Sequence, residues 1–411
     1  MTSSVGVYVH VPFCTARCHY CDFNTFAGLN RLFGTYIDAM CTHIARLPQR
    51  LDLGNDSEPD LHDLNARTIF FGGGTPTLLE PEAIERILGA IRNRMPLDDG
   101  IEISIEANPG TVAERHLSQL REMGINRISF GVQTFDPTLL GELGRIHTAE
   151  QAERARRIAQ SAGFESTNLD FIYGLPNQTL AIWRDTLERA IALRPEHLSL
   201  YSLTVESGTV FHRRHERGML PLPDEDLVAD MYEMATEELT RAGYQQYEIS
   251  NWSIGPRHQC QHNLGYWNNL DYLGLGPGAH SWFGGKRYVE TLSPVAWASQ
   301  IAANVPPILQ IETLTLGETI GETLMLGLRL IEGIDLSPLS RRFGVDLALA
   351  LRDPIEETTN LGLLQVDGSR IQLTPRARLI GNEVFRRFLE AGLSAFNASP
   401  AAPSNEKLVP A

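Results

Sequence analysis

Residues 10–23 of the chain read HVPFCTARCHYCDF, and this stretch decides the fold. It follows a β-rich run, Val5 to Val11, and spaces three cysteines as Cys14-x3-Cys18-x2-Cys21. Three soft thiolates on one tight loop can grip three corners of a [4Fe-4S] cube, which leaves the fourth iron without a protein ligand. The stretch therefore predicts an iron-sulfur cluster with one iron open to chemistry.

The same loop allows a second interpretation, a zinc site completed by His19 or by a distant residue. The chain has five cysteines, an odd number, with three crowded between Cys14 and Cys21. That pattern differs from the disulfide framework of a secreted protein and indicates a metal site in a reducing compartment. The position of the loop directly after a strand favours the cluster over zinc.

Composition and charge exclude several classes of protein. With 411 residues the chain can hold two or three domains and a full-sized core. Its formal net charge of -15 argues against a nucleic-acid-binding face, which needs a basic patch. No run reaches the ~20 apolar residues of a membrane helix, and the N-terminus lacks the pattern of a signal peptide. We expect a cytoplasmic protein with at most peripheral membrane contact.

Strand and helix patterns alternate along the first half of the chain, which is typical of βα units around a parallel sheet. The predicted strands are Val5–Val11, Thr68–Phe71, Ile101–Glu106, Arg127–Val132, Ser166–Ile172 and His197–Leu203. The predicted helices, with apolar residues at three-to-four spacing, lie near 36–46, 82–92, 113–122, 149–159, 180–192 and 226–241. Six such units predict an α/β fold, a partial (β/α)6 barrel of the TIM type.

Polar or glycine-rich motifs follow the predicted strands, where barrel proteins place their chemistry. The glycines of 72–74 let a backbone approach a ligand closely, and Glu106 offers paired acceptors for ribose hydroxyls. Gln133, Arg145 and Asp170 continue the series. Taken singly, each has an equally good structural explanation, such as a tight turn or a solvated carboxylate. Together and in this order they indicate one ligand site.

The cysteine spacing resembles that of the radical-SAM superfamily, whose open iron chelates S-adenosylmethionine. In that superfamily Tyr20 corresponds to the aromatic position whose backbone contacts adenine, and the glycine loop to the segment near the methionyl amino group. The Tyr8-to-Cys14 segment, GGGTP (72–76), SFGVQ (129–133) and DFIYGLP (170–176) together resemble the subfamily of oxygen-independent coproporphyrinogen III dehydrogenase. The resemblance runs from about Val5 to about Leu389.

This resemblance implies a set of S-adenosylmethionine contacts. The implied residues are Tyr8, Tyr20, Gly73, Gly74, Thr75, Glu106, Gln133, Arg145 and Asp170. It also implies that Cys14, Cys18 and Cys21 are the cluster ligands.

Two features depart from the dehydrogenase. Phe23 stands where the dehydrogenase has a fourth cysteine, and residues 262–267 read HNLGYW, an H-N-x-x-Y-W motif. Both features resemble the haem chaperone branch, HemW. That branch implies haem binding and haem transfer to acceptor proteins, and it implies no dehydrogenase activity.

His262 is the predicted axial ligand of haem, because neutral imidazole binds haem iron and neighbouring aromatic rings can stack on a porphyrin. From the residues alone, a core histidine satisfied by Asn263 or by backbone is the better interpretation. The branch resemblance reverses this order. His258, Cys260 and His262 could also share one face of a strand and hold a metal, or Cys260 could contact haem.

The C-terminal half is predicted to be organised differently from the barrel. We expect a radical-SAM core over 1–245, a connecting segment with the H-N-x-x-Y-W motif over 246–314, and a mainly helical, winged-helix-like domain over 315–394. Within that domain, Leu363–Leu373 is predicted to be a β-hairpin around Asp367-Gly368. The Pro/Ala/Ser-rich tail, 395–411, is predicted to be disordered.

The favoured function is a haem chaperone that uses a [4Fe-4S] cluster and S-adenosylmethionine. Its expected partners are haem, a haem-accepting protein such as a respiratory haem protein, and an electron donor such as flavodoxin or ferredoxin. Alternatives are coproporphyrinogen III dehydrogenase and another radical-SAM tetrapyrrole enzyme. A nucleic-acid-binding winged helix is a third class, but acidic neighbours dilute its arginines, and we expect no nucleic-acid partner.

Overall fold

The computed structural model describes residues 3–47 and 64–396. The chain divides into two compact units. The first extends to residue 266 and includes 270–312, and the second comprises 267–269 and the chain from 313. Within the described ranges no helix has the length and apolar character needed to span a membrane.

The first unit contains fourteen strands among the described residues. They are β1 (Ser3–Val11), β2 (Phe13–Cys14), β3 (Phe26–Ala27), β4 (Leu64–Gly73), β5 (Leu97–Ala107), β6 (Arg127–Gln133), β7 (Ser166–Tyr173), β8 (His197–Ser202), β9 (Gln245–Glu248), β10 (Asn251–Ser253), β11 (Tyr272–Leu275), β12 (His280–Phe283), β13 (Lys286–Glu290) and β14 (Ile308–Thr313). The helices that begin in this unit are α1 (Phe33–Ala45), α2 (Pro81–Arg94), α3 (Glu114–Glu122), α4 (Pro137–Glu142), α5 (Ala149–Ser161), α6 (Leu180–Ala192), α7 (Val210–Glu216), α8 (Glu225–Arg241), α9 (Gln261–Trp267) and α10 (Pro294–Ala302).

The six predicted strands are present and lie side by side in the order β1-β4-β5-β6-β7-β8, all parallel. This confirms the partial (β/α)6 barrel. Each predicted helix between them is also present, within a few residues of its predicted bounds.

The sheet is wider than the sequence predicts. On the far side of β1 lies β11, which is parallel to it. Next come β12, antiparallel to β11, and β13, antiparallel to β12, and β14 lies at the edge of the sheet. At the other edge, β10 pairs antiparallel with β8 and with β9. The segment 246–314, predicted to be a connection, therefore supplies six strands. These strands are only three to six residues long, too short for a clear alternating pattern.

Buried valines alternate along β1 with side chains that point to the opposite face of the sheet. Val5, Val7, Val9 and Val11 are buried in the main hydrophobic core, and each contributes about 1.5 to 3 kcal/mol of burial free energy. The intervening side chains point to the opposite face of the sheet. There Tyr8 lines a cavity, so this strand carries both core packing and a site residue.

The second unit is mainly helical. It contains α11 (Leu316–Gly327), α12 (Leu336–Phe343), α13 (Leu347–Ala350), α14 (Arg352–Asn360), α15 (Pro375–Leu379) and α16 (Gly381–Phe396), with β15 (Ile334–Asp335), β16 (Leu364–Asp367) and β17 (Arg370–Leu373). The strands form a sheet in the order β15-β17-β16, and β16 and β17 are the predicted hairpin. Gly368 has a φ of 59°, which the turn requires and glycine adopts freely. Of the predicted tail, 395 and 396 are helical, and 397–411 lie outside the described residues.

Candidate radical-SAM site

A cavity of about 450 Å³ lies at the carboxyl ends of the barrel strands. It brings together most of the predicted site residues. Those lining it are Cys14, Cys18, Tyr20, Cys21, Gly73, Gly74, Thr75, Glu106, Gln133, Arg145 and Asp170. Tyr8 lines an adjoining cavity of about 220 Å³, and Glu106 and Asp170 border both cavities.

The cysteine loop is held in place by backbone hydrogen bonds at its middle. His19 N–H donates to the carbonyl oxygen of Leu143 (3.0 Å), and its own carbonyl accepts from Phe211 N–H (3.0 Å). Nδ1 of His19 lies 2.7 Å from the carbonyl oxygen of Glu142. This contact engages one ring nitrogen of the residue considered as a fourth zinc ligand. Tyr20 packs against a small apolar cluster that contains Leu143 and Phe211.

The donor set fits a cluster held at three corners. Cys14, Cys18 and Cys21 are free thiols, partly exposed toward one cavity. Among the described residues, no three His, Cys, Asp or Glu side chains converge as the ligands of a single metal ion do. In a [4Fe-4S] cluster each thiolate binds a different iron, so the three thiols can lie apart along the cavity wall. Burial raises the pKa of Cys14 and Cys21, so deprotonation of these thiols needs a cationic partner.

Arg145 provides a fixed positive charge beside the cysteines. Its Nη1 donates to Sγ of Cys18 (3.3 Å), and its Nη2 donates to the carbonyl oxygen of Gly131 (2.5 Å). Gln133, at the end of β6, has a φ of 70°, a left-handed conformation that is strained for a residue with a side chain. The end of β6 therefore places Gln133 at the cavity, and the carbonyl of Gly131 on the same strand anchors the Arg145 guanidinium there.

Glu106 and Asp170 form a pair of interacting carboxyls. Burial, and then the charge of Asp170, raises the pKa of Glu106 to about 8, although Gly73 N–H donates to Oε2 of Glu106 (3.0 Å). Burial also raises the pKa of Asp170, against hydrogen bonds from Ser129 and Asn168. At neutral pH Glu106 is therefore mostly protonated in the ligand-free protein, and it can both donate and accept hydrogen bonds.

Packing explains why the glycine loop needs glycines. A Cβ on Gly74 would lie 2.4 Å from the carbonyl oxygen of Phe13, and one on Gly73, whose φ is 107°, would lie 2.5 Å from the ring of His10. His10 in turn accepts or donates a hydrogen bond with the hydroxyl of Tyr8 (3.0 Å). The glycine backbone therefore lies close to Phe13 and His10 of the same chain. The loop also lines the cavity, as predicted.

His262 lies in the smaller cavity, beside Tyr8. Its Nδ1 is 2.8 Å from the hydroxyl oxygen of Thr68, and its Nε2 is 2.9 Å from the hydroxyl oxygen of Tyr266. Burial, with a contribution from Arg67, lowers the pKa of His262 to about 3, so the imidazole is neutral. Neutral imidazole is the form that binds iron, but both ring nitrogens already have hydrogen-bond partners. Coordination of haem iron by His262 requires the release of one of them.

His258, Cys260 and His262 do not share the face of a strand, the arrangement that a metal site at these residues would need. His258 ends a 3-10 turn, and His262 lies on α9. The helix begins there because the carboxylate of Glu102, on β5, accepts hydrogen bonds from the N–H groups of Gln261 and His262 (both 3.1 Å). The three side chains have separate partners and do not form a shared metal site.

Sequence reasoning missed two residues that line both cavities, Ser129 and Tyr201. Tyr201 lies near the carboxyl end of β8, so the strand-end rule that identified Glu106 could have found it. Ser129 is the first residue of the SFGVQ motif and lies inside β6 rather than at its end, so it gives no such signal.

The fold and the cavity define a protein of the radical-SAM class, and residues 8–190 match the family described as "Radical SAM superfamily". Residues 314–380 match the "HemN C-terminal domain". "Heme chaperone HemW" of Bacillus subtilis is 36% identical over 385 residues, which cover 93% of this chain and 99% of that protein. The protein of the same name from Escherichia coli is 43% identical and covers 67% of this chain and 69% of its own length. The chain belongs to the HemW family of haem chaperones.

A solved structure shares the fold. Coproporphyrinogen III oxidase (HemN) from Escherichia coli, described as a radical SAM enzyme, superposes with a TM-score of 0.80 and 25% identity. The superposition covers 94% of this chain and 90% of HemN.

Proposed function

We propose that the protein is a haem chaperone in which Cys14, Cys18 and Cys21 hold a [4Fe-4S] cluster and the adjoining cavity binds S-adenosylmethionine. One observation carries this proposal: three thiols and eight further predicted residues border a single cavity of about 450 Å³. A cavity of this volume falls in the range of small-molecule sites. When bound, the cluster supplies an open iron position and a one-electron couple.

The residues of the chain divide the binding of S-adenosylmethionine between them. The backbone at Tyr20 would contact the adenine, and Gly73, Gly74 and Thr75 would contact the methionyl part. Glu106 would bind the ribose hydroxyls. Gln133, Arg145, Asp170 and Tyr8 complete the site, with Arg145 also placing a positive charge beside Cys18.

Haem is the proposed cargo, on the strength of family membership and of the name that the relatives carry. We retain His262 as the proposed iron ligand, reached when the contact between its Nε2 and Tyr266 opens. The cavity beside His262 encloses about 220 Å³, below the usual range for small-molecule sites, so haem binding at this residue requires movement of α9. The proposed setting is the cytoplasm, with flavodoxin or ferredoxin as electron donor and a respiratory haem protein as acceptor.

Anaerobic reconstitution tests the cluster. We expect Cys18→Ser to lose most of the bound iron and sulfide and the charge-transfer absorption. The matched control is Cys41→Ser, which removes a cysteine of α1 outside the cavity and should bind a full cluster. Wild-type protein should also show a Mössbauer spectrum that changes when S-adenosylmethionine is added. Zinc in the loop, or a spectrum indifferent to S-adenosylmethionine, would contradict the proposal.

Haem titration followed by visible spectroscopy tests the cargo and its ligand. His262→Ala should change the Soret band and weaken binding by at least about tenfold, in line with loss of a metal ligand's contribution. His215→Ala, at an exposed position on α7, is the control and should match the wild type. Unchanged haem binding in His262→Ala would remove this residue as the ligand.

A second candidate function is oxidative decarboxylation of coproporphyrinogen III, favoured by the whole-chain likeness to HemN. Reconstituted protein incubated anaerobically with coproporphyrinogen III, S-adenosylmethionine and a reductant distinguishes the two. We expect no vinyl product. Turnover to vinyl-bearing porphyrinogen would replace the chaperone proposal with the enzyme.

A further inference from the structure

A chain of buried hydrogen bonds lies behind Asp170, on the strands β7 and β8. Asn168 Nδ2 donates to Oδ1 of Asp170 (2.7 Å) and to Oγ of Ser129 (2.8 Å), and Ser129 Oγ donates to Oδ2 of Asp170 (2.7 Å). Both oxygens of this carboxylate are thus held from behind. The orientation of the Asp170 carboxylate depends on whether the nitrogen or the oxygen of the Asn168 amide faces it.

Two groups hold the other end of that amide: Ser199 Oγ donates to Oδ1 of Asn168 (3.1 Å), and His197 makes the closer contact. Its Nδ1 lies 2.7 Å from Oδ1 of Asn168, and it is directly opposite Asn168 in the register of β7 and β8. The amide nitrogen of Asn168 donates to Asp170 and Ser129, which leaves the amide oxygen facing His197 as an acceptor. Nδ1 of His197 therefore carries the proton.

Tyr247 fixes the other side of the ring. Its hydroxyl lies 2.8 Å from Nε2 of His197 and accepts a hydrogen bond from Cys260 N–H (3.2 Å). Burial, followed by the charges of Arg127 and His258, lowers the pKa of His197 well below its usual value, so the ring is neutral. A neutral ring with a proton on Nδ1 accepts at Nε2, and Tyr247 is the donor. Every polar atom of this chain then has one consistent role.

We propose that His197 is a positioning residue: through Asn168 it holds the Asp170 carboxylate in the orientation that binds S-adenosylmethionine. The proposal rests on the proposed function for the role of Asp170 and goes beyond it in assigning His197. His197 itself is buried, with 1% of its surface exposed, and it lines only the smaller cavity. Its hydrogen-bonded connection to Asp170 is through Asn168.

The test compares two amides at position 197. In His197→Asn the new amide nitrogen can replace Nδ1 and donate to Asn168. In His197→Gln the amide extends toward the position of Nε2 and loses that donation. In cluster-loaded protein, calorimetry should show about tenfold weaker S-adenosylmethionine binding for His197→Gln. This is the low end of the losses seen when an orienting hydrogen bond behind a ligating group is removed. Binding by His197→Asn should be close to that of the wild type. Equal losses in both variants, or none in His197→Gln, would overturn the proposal.

A double-mutant cycle separates positioning from general packing. In an Asp170→Asn background, His197→Gln should cause no further loss of S-adenosylmethionine affinity, because the group on which it acts has been changed. Additive losses would show that His197 acts by another route. If His197→Gln does not fold, Asn168→Ala replaces it, and wild-type affinity in that variant would refute the relay.

Crystal structures of the ligand-free variants separate this proposal from the function. The Asp170 carboxylate should turn in His197→Gln and keep its orientation in His197→Asn, whether or not the protein binds S-adenosylmethionine. An unmoved carboxylate in both variants refutes positioning. A failure of wild-type protein to bind S-adenosylmethionine refutes the proposed function instead.

Discussion

Replacing Glu106 with glutamine should stabilise the cluster-free, ligand-free protein, and the gain should grow as the pH rises. Burial first, and the charge of Asp170 second, raises the pKa of Glu106 from its ordinary value of 4.5 to about 8. The folded protein therefore binds this proton more tightly than the unfolded chain does. Wild-type stability is greatest below pH 4.5 as far as this group is concerned, and it falls as the pH rises through 8. Glutamine has no proton to lose and escapes this decrease.

The size of the effect follows from the displacement of the pKa. A change from 4.5 to about 8 corresponds to about 5 kcal/mol in fully dry surroundings, at about 1.4 kcal/mol per pKa unit. Glu106 borders the cavity and is partly exposed to it, so water screens the charge and about 2 kcal/mol is the better expectation. Almost all of this difference should develop between about pH 5 and about pH 9.

Urea unfolding at a series of pH values, followed by near-ultraviolet circular dichroism, measures the difference. The free energy of unfolding of Glu106→Gln should exceed that of the wild type by about 2 kcal/mol near pH 9 and converge with it near pH 5. Glu188→Gln, at an exposed position on α6, is the control and should follow the wild type at every pH. A difference that is constant with pH, or a less stable glutamine variant near pH 9, would refute the reasoning.

Three further predictions concern the same cavity. Binding of cationic S-adenosylmethionine at neutral pH should release a proton from Glu106, seen as a binding enthalpy that varies with the ionisation enthalpy of the buffer; Glu106→Gln should show no such variation. Arg145→Gln should lower the reduction potential of the cluster by about 60 mV in a redox titration, because a positive charge beside Cys18 is lost, and an unchanged potential would contradict that contact. Gly74→Ala should destabilise the protein by about 2 to 3 kcal/mol through the clash with Phe13. The control is Gly89→Ala, in open space on α2, which should stabilise the protein by about 0.5 to 1 kcal/mol. Equal effects of the two substitutions in thermal unfolding would rule out the clash.

The local patterns of the sequence were enough to predict the barrel and its cavity. The β1 valines alternate with residues of the opposite face, and Glu106, Gln133 and Asp170 stand at or near strand ends, so periodicity and the strand-end rule placed them correctly at one edge of the sheet. The cysteine loop needed no tertiary information, because its three thiols lie within one loop.

Contacts between distant residues could not be predicted in this way. The α9 helix begins where it does because Glu102 caps it from another strand, and no local pattern around His258 to His262 reveals that carboxylate. β11 is four residues long and includes a glycine, so it has no pattern of its own and becomes a strand only beside β1. The pairing of His197 with Asn168 likewise depends on the register between two strands.

The position of β1 between β4 and β11 has a consequence during synthesis. The strand that leads into the cysteine loop is made before both of its neighbours, and one of them, Tyr272–Leu275, leaves the ribosome more than two hundred residues later. Until then β1 has an open edge and the loop has incomplete support, because pairing between such distant segments forms late. The nascent chain therefore exposes its thiols on an unfinished scaffold, and we expect stable cluster insertion only after residues 272–275 have paired with β1.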